Sequence, residues 1–200
     1  MDAPIWPLRT ERLDLRPFEP GDLDAVRAQL TDPSTVRYLY TDVLDEAALA
    51  ARLDDLQKRA TLEREGDSMH LVGVLRETGE VVGDVVLIWV SEVHRSGEVG
   101  YVLVPRQEGL GYATEMSAEM LRVAFDDLGL HRVVGRLDAR NTASAAVLER
   151  LGMRREAELV ENEWVKGEWA SEVVYAVLAS EWQTRCGAVD KTAAGTTGPA

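Results

Sequence analysis

The sequence predicts an α/β fold of the α+β kind: a mixed, mainly antiparallel central sheet of about seven strands with helices on both faces. Three observations carry that expectation. Residues 69–76, 81–91 and 97–104 are strand-like runs joined by short links, the pattern of an antiparallel meander. The last of these runs into a tight glycine turn, a helix and a further strand at residues 131–137, a crossover that implies one parallel pair of right-handed connection. Two long runs, at residues 154–165 and 170–178, close the chain as a hairpin about Lys166-Gly167.

Taken in order, Leu13 and Leu15 alternate with charged neighbours inside residues 10–18, the pattern of a half-buried strand. Pro20-Gly21-Asp22 opens a helix through about Leu30, and Asp32-Pro33 starts a second helical turn with Asp32 as N-cap. Asp45 caps a longer helix expected to run to about Glu65, with Ala48, Leu49, Leu53 and Leu56 at helical spacing. The run Val85-Val-Leu-Ile-Trp-Val90 is apolar on both faces and reads as a central, covered strand. Past Gly111, Ala113, Met116, Met120, Ala124 and Leu128 share one helical face that ends at Gly129. Asn141 or Thr142 caps a helix closed by Gly152. One domain over residues 1–183 is expected, and residues 184–200, rich in Gly, Ala and Thr, read as a disordered tail.

Composition excludes several functions. A net charge of −13 disfavours a general nucleic-acid binder, which needs a basic face, and suits a cationic partner or simple solubility. Cys186 is the single cysteine, so neither a disulfide framework nor a thiol metal cluster is expected. His70, His94 and His131 fall in different elements, so no metal site is expected either. No apolar stretch approaches a bilayer span and the N-terminus has no leader pattern, which makes a cytoplasmic protein the expectation.

The stretch most able to bind a ligand is Glu98-Val-Gly-Tyr-Val-Leu-Val-Pro-Arg-Gln-Glu-Gly-Leu-Gly-Tyr-Ala-Thr-Glu115. Pro105 stops the strand, Gly109 and Gly111 allow close backbone approach, and the helix start offers free N–H groups and a positive dipole end to a phosphorylated ligand. A P-loop needs Lys-Ser/Thr after its last glycine, where this chain has Tyr112-Ala113. A dinucleotide fingerprint needs a third Gly or Ala, where it has Thr114; Asp138 would then be the ribose acid, but the preceding meander contradicts that fold. A glycine-rich turn with no ligand is the bland alternative.

Arg106-Gln-Glu-Gly109-Leu-Gly111 has the spacing Arg/Gln-x-x-Gly-x-Gly/Ala between a strand and a helix. It resembles the acetyl-CoA pyrophosphate loop of the GNAT N-acyltransferase superfamily. Thr10-Glu-Arg-Leu-Asp-Leu-Arg-Pro17, and the stretch from His131 through Asn141-Thr-Ala-Ser144 to Gly152-Met153, resemble the ribosomal-protein N-terminal acetyltransferase (RimJ/RimL-like) branch. The similarity runs from about Leu8 to Trp182. Two departures stand out: Gln107-Glu108 replaces a frequent aromatic pair, setting a carboxylate near the expected pyrophosphate, and Leu110 replaces a commonly polar residue.

The resemblance implies an acetyl-CoA-dependent N-acetyltransferase that uses no metal and transfers acetyl to a primary amine in a ternary complex. The acceptor it implies is a protein N-terminus or a small cationic molecule. A non-catalytic acyl-CoA-binding or regulatory domain is the alternative. Such chemistry needs a base for the amine, a donor for oxygen charge and a hydrogen bond to the departing sulfur. Glu98 is the candidate base; its bland reading is a solvated carboxylate paired with Arg95 or Arg106. The N–H of Leu103 or Val104 is the candidate donor to the acyl oxygen. The cosubstrate is expected along Val102, Leu103 and Val104, then Gln107, Glu108, Gly109, Leu110, Gly111, Tyr112, Ala113 and Thr114. Asn141 is implied to bind the pantetheine and Ser144 to hydrogen-bond the leaving sulfur; the bland readings are a helix cap for Asn141 and filler for Ser144, and Tyr101 and Tyr112 are alternative acids. Asp84 reads as a surface-edge residue sooner than an amine-binding one. Tyr38, Tyr40, Trp89 and Trp164 are candidate walls of an acceptor pocket, and the late strands leave a homodimer open.

Overall fold

Eight strands form one sheet in the order β1-β2-β3-β4-β5-β6-β8-β7. The computed structural model describes residues 6–185. The strands are β1 (Leu8–Arg9), β2 (Leu13–Arg16), β3 (Ser68–Leu75), β4 (Val81–Ser91), β5 (Ser96–Leu103), β6 (Arg132–Asp138), β7 (Arg154–Val165) and β8 (Glu168–Leu178). The helices are α1 (Leu23–Leu30), α2 (Pro33–Val36), α3 (Glu46–Leu56), α4 (Tyr112–Arg122) and α5 (Thr142–Arg150). The sheet holds eight strands rather than the seven expected. The two-residue β1, paired to β2, is too short to leave an alternating signal.

Every neighbouring pair is antiparallel except β5–β6, which is parallel over only three residue pairs, Ser96–Arg132, Gly97–Val133 and Glu98–Val134. Beyond Glu98 the two strands separate, although both continue, to Leu103 and Asp138. This wedge sits in the middle of the sheet.

The two faces are covered unequally. On one, α4 sets Met116, Met120 and Leu121 against Leu13, Leu71, Val85, Leu87 and Val99, and Leu148 of α5 joins the same cluster. Each of these side chains contributes roughly 1.5–3 kcal/mol by leaving water. On the other face, Val26 of α1 and Leu49, Leu53 and Leu56 of α3 pack on Val72. That second cluster draws on β3 and β4, while beside the wedge the sheet carries Glu98, Arg136 and Glu172, with Tyr40 reaching Glu172.

Two helices end differently from the sequence expectation. Asp45 caps α3 by accepting from the Ala48 amide (2.9 Å), but the helix stops at Leu56, well short of Glu65. The apolar stripe ends there, and the Asp67 carboxylate takes the amides of Glu63 and Arg64 (2.9 Å each) into a turn instead. At the end of α4 the chain widens into a π-helical turn, Val123–Asp127, before Gly129 at φ +63°. The hairpin at Lys166-Gly167 forms as expected. Of the predicted tail, Thr184 and Arg185 continue a helix over residues 179–185; the remainder lies outside the described residues.

Candidate active site

The loop between β5 and α4 has the form its glycines require. A 3-10 turn, Pro105–Gln107, follows the strand, and Gly109 and Gly111 both adopt positive φ (+74° and +86°). Gly111 is the N-cap of α4, and the first amide to donate back into the chain is that of Glu115, to Gly111 O (3.1 Å). Among the described residues, the amides of residues 109–114 have no partner, so this helix start can receive an anion. A Cβ at Gly109 would meet nothing within 4 Å, which leaves the backbone open to close approach. Glu108 and Leu110 are exposed. Gln107, expected at the cosubstrate, is 94% covered.

The loop is braced from behind by residues whose role the sequence did not reveal. Glu115 accepts from Thr10 Oγ1 (2.6 Å), the Arg12 amide (2.7 Å) and Arg12 Nε (2.7 Å). Arg12 also donates to Leu110 O (3.0 Å) and lies 4.5 Å from the centre of the Tyr112 ring. Burial alone would push the Glu115 carboxyl up, but the hydrogen bonds from Thr10 and Arg12 outweigh it and hold the group below its usual range. Tyr112 thereby packs at the helix start.

The wedge exposes backbone. Val104 N donates to Val82 O (2.9 Å), and Asp84 pairs with Val102 two residues on. Because an antiparallel ladder alternates its bonded pairs, Tyr101 and Leu103 direct their amides away from β4, towards the side that β6 has left. Val104 is therefore excluded as an acyl-oxygen donor, and Leu103 remains. Across the wedge, Asn141 caps α5 by accepting from the Ser144 amide (3.0 Å). Tyr101 Oη donates to Ser144 O (3.1 Å), which brings β5 and the first turn of α5 together. Burial pushes the Tyr101 hydroxyl up to about 12, so it stays protonated at neutral pH.

Glu98 lies on the opposite face, where the wedge begins. It makes no ion pair among the described residues. Arg95 is taken up by Gly129 O and Arg106 by Glu80 (2.7 Å), so the expected partners are engaged elsewhere. Burial pushes the Glu98 carboxyl up, the Arg136 charge works against that, and Glu172 adds to it. Arg136 and Glu172 are on the same face by register, Glu98 beside Val134 on β6 and Glu172 beside Asp138 at its far end. Glu172 is 97% covered. A pocket lies nearby, linked to Glu172 through Tyr40 and lined by Arg37, Tyr38, Tyr40, Asp138, Glu163 and Ser171 among others. Asp138 is committed to Arg140 (2.6 Å), whereas Glu163 forms no ion pair among the described residues.

Glu163, Arg136 and Glu172 escaped the sequence reading, since each sits in a strand without a motif. Tyr38 and Tyr40 do line the pocket, but Trp164 instead packs edge-on against Trp169 (5.2 Å) in the exposed hairpin. Asp84 is not at a surface edge. It lies within central strand β4, where Gln29 Nε2 donates to it (2.8 Å) and to Val102 O (2.8 Å), and burial pushes its carboxyl up to about 6. No group of three or more His, Cys, Asp or Glu side chains suited to a metal occurs among the described residues. Nor is any described helix long and apolar enough to cross a membrane.

A family model described as an acetyltransferase (GNAT) domain matches residues 12–154. The N-acetyltransferase YnaD of Bacillus subtilis, itself uncharacterised, is 29% identical over 176 residues, which cover 88% of this chain and 98% of that protein. Among solved structures, a GNAT-family acetyltransferase from Bacillus anthracis superimposes with a TM-score of 0.78 at 27% identity, over 88% of this chain and 99% of that one. The spermidine N-acetyltransferase of Vibrio cholerae, in complex with CoA and spermine, shares the fold at a TM-score of 0.73 and 22% identity, over 86% of this chain and 98% of that one. A wedge in the sheet, a free-amide glycine loop and a matching sequence model meet in one place: the chain belongs to the GNAT acetyltransferase family.

Proposed function

We propose that this acetyltransferase moves acetyl from acetyl-CoA to a primary amine by direct attack, with Glu98 as the base. The observation that carries the proposal is a half-buried carboxylate, with no ion pair among the described residues, at the point where β5 and β6 begin to diverge, on the strand that runs into the glycine loop. The residues fit the cosubstrate: the unpartnered amides at the start of α4 suit a pyrophosphate, and the strand amides freed by the wedge suit a pantetheine arm. When bound, acetyl-CoA supplies an activated acyl carbon and a thiolate leaving group.

The chain's own residues supply the rest. Glu98, whose raised pKa brings it nearer the working pH, takes the ammonium proton directly or through a water. The amine nitrogen then bonds to the acyl carbon, the carbon–sulfur bond breaks with its electron pair going to sulfur, and the surplus proton on nitrogen passes to that thiolate, leaving the amide and free CoA thiol. The Leu103 amide meets the charge that develops on the acyl oxygen, and Ser144 Oγ donates to the sulfur. Asn141 caps α5 and, with its amide N–H groups still available, contacts the pantetheine.

The acceptor enters from the opposite face, where Glu98, Glu163 and Glu172 suit a cation. A small cationic amine is thus favoured over a protein N-terminus, in keeping with the spermine-bound Vibrio cholerae neighbour. Membership of the ribosomal N-terminal branch would favour the protein substrate and rests on residues 10–17 and 131–153 and on a partial likeness, 31% over 105 residues, to the putative ribosomal N-acetyltransferase YdaF of Bacillus subtilis. A cytoplasmic location and a homodimer belong to the same proposal.

Thiol release from acetyl-CoA, followed across a panel of amines, tests the reading. At least one primary amine should be turned over, and Glu98→Gln should lower kcat by about 10²-fold or more with the KM for acetyl-CoA retained. Tight CoA binding without turnover of any amine would instead identify an acyl-CoA-binding module. No thermal shift with CoA would sink both.

A further inference from the structure

The most deeply buried carboxylate in the recess is Glu172. Only 3% of it is exposed, yet Oε1 has no directed hydrogen bond. Arg136 Nη2 lies 2.7 Å from that oxygen and pairs with it as a charge. On Oε2 the one partner is Tyr40 Oη, at a long 3.4 Å. Carboxylates this deep normally accept several short hydrogen bonds, and leaving an oxygen unmatched is costly. Arg136 is itself 41% exposed and stands between Glu172 and Glu98, a diagonal neighbour of Glu172 across the β6–β8 ladder. Tyr40, 65% exposed on its outer side, forms the rim.

An ammonium group answers what Glu172 lacks: a compact charge with three donors that can be aimed at Oε1. We propose that Glu172, under Tyr40 and beside Arg136, binds a second cationic group of the acceptor, so that the site selects diamines or longer polyamines over monoamines. The proposal rests on the amine-acetylation reading above. In it Glu98 serves the amine that reacts, Glu172 holds the one that does not, and Arg136 is the internal cation with which the acceptor competes. The selection needs no contact with the acetyl donor.

Two acceptors of equal carbon length, 1,4-diaminobutane and n-butylamine, separate the parts when thiol release is measured with the full chain. The ratio of their kcat/KM values should favour the diamine by about tenfold or more, the worth of one charge-assisted hydrogen bond. Glu172→Gln should collapse that ratio towards one. Arg136→Gln, which removes the competing cation, should raise it by about threefold or more, a gain that general damage to the fold would not produce. An unchanged ratio in both variants overturns the proposal, as does a parent enzyme that prefers the monoamine or acts only on peptide N-termini without a second cation. Absence of turnover with every amine despite CoA binding would count against the parent reading itself, and the two failures are thereby distinct.

Discussion

Asp84 has an unusual position for a carboxylate: a central strand, with one hydrogen bond from Gln29 and burial that lifts it from 3.8 to about 6. The folded state therefore holds a proton that the unfolded chain has released between those two values. Stability attributable to this group is fully present below about pH 4 and is lost as pH rises through 6. Asp84→Asn, which keeps an acceptor for Gln29 and cannot ionise, should thus be more stable than the parent by about 2–3 kcal/mol at pH 7.5. The gain should vanish near pH 4, and denaturant melts at the two pH values would read it; equal gains at both would contradict the electrostatic cause. Asp84 also marks the limit of sequence reading at this scale. Its neighbours fix the strand, but only the packing of α1 against β4 decides that a carboxylate there is buried. Glu98 was legible because it heads a recognisable motif, whereas Glu172 and Glu163 lie in strands whose alternation says which face they take and nothing of what that face holds.

Among elements, the β5–turn–α4 unit was the most legible, because a strand period, a proline stop and two glycines at positive φ are local requirements. Local signals fail where distant residues decide. The true end of α3 depends on the Asp67 carboxylate, and the π-helical turn after α4 carries no signal of its own. The Thr10–Arg12–Glu115 brace joins residues 103 positions apart and is invisible to any window. Its geometry makes a specific demand on kinetics. Glu115 touches neither the wedge nor the acceptor recess, and its bonds orient the loop that would receive the pyrophosphate. Glu115→Gln should raise the KM for acetyl-CoA by roughly fivefold, from about 1 kcal/mol of lost loop positioning, while kcat changes little. A fall in kcat with KM unaltered would show that the brace serves some other purpose. Glu115→Asp should not restore the parent value, since the shorter arm cannot span Thr10 and both Arg12 donors at once.

At the scale of the whole molecule, the sheet is two half-sheets. Strands β1 to β5 form one antiparallel stack, β6 to β8 another, and a parallel ladder of three residue pairs joins them. The alternation of strands and helices announced both halves, and the crossover through α4 announced their parallel contact. Where that contact stops was not written in the period of either strand, since β6 keeps its alternation past Val134 and the apolar residues of β5 continue on both faces to Val104. The function proposed for the chain lives at that junction, with the acetyl donor on one side and the acceptor on the other. Neither half-sheet holds both Glu98 and Ser144.

An early end to one ladder also leaves a signature in time. Interior strands of a large sheet are ordinarily where amide protons are lost most slowly to deuterated water. Here the Tyr101 and Leu103 amides, in a strand with four others on one side and three on the other, face no partner strand. Their protons should exchange far faster than those of Val85 or Leu87 one strand away. Adding CoA should slow them selectively, without a matching change across β2 or β3. The interior of this sheet would then show, residue by residue, a seam that behaves like an edge.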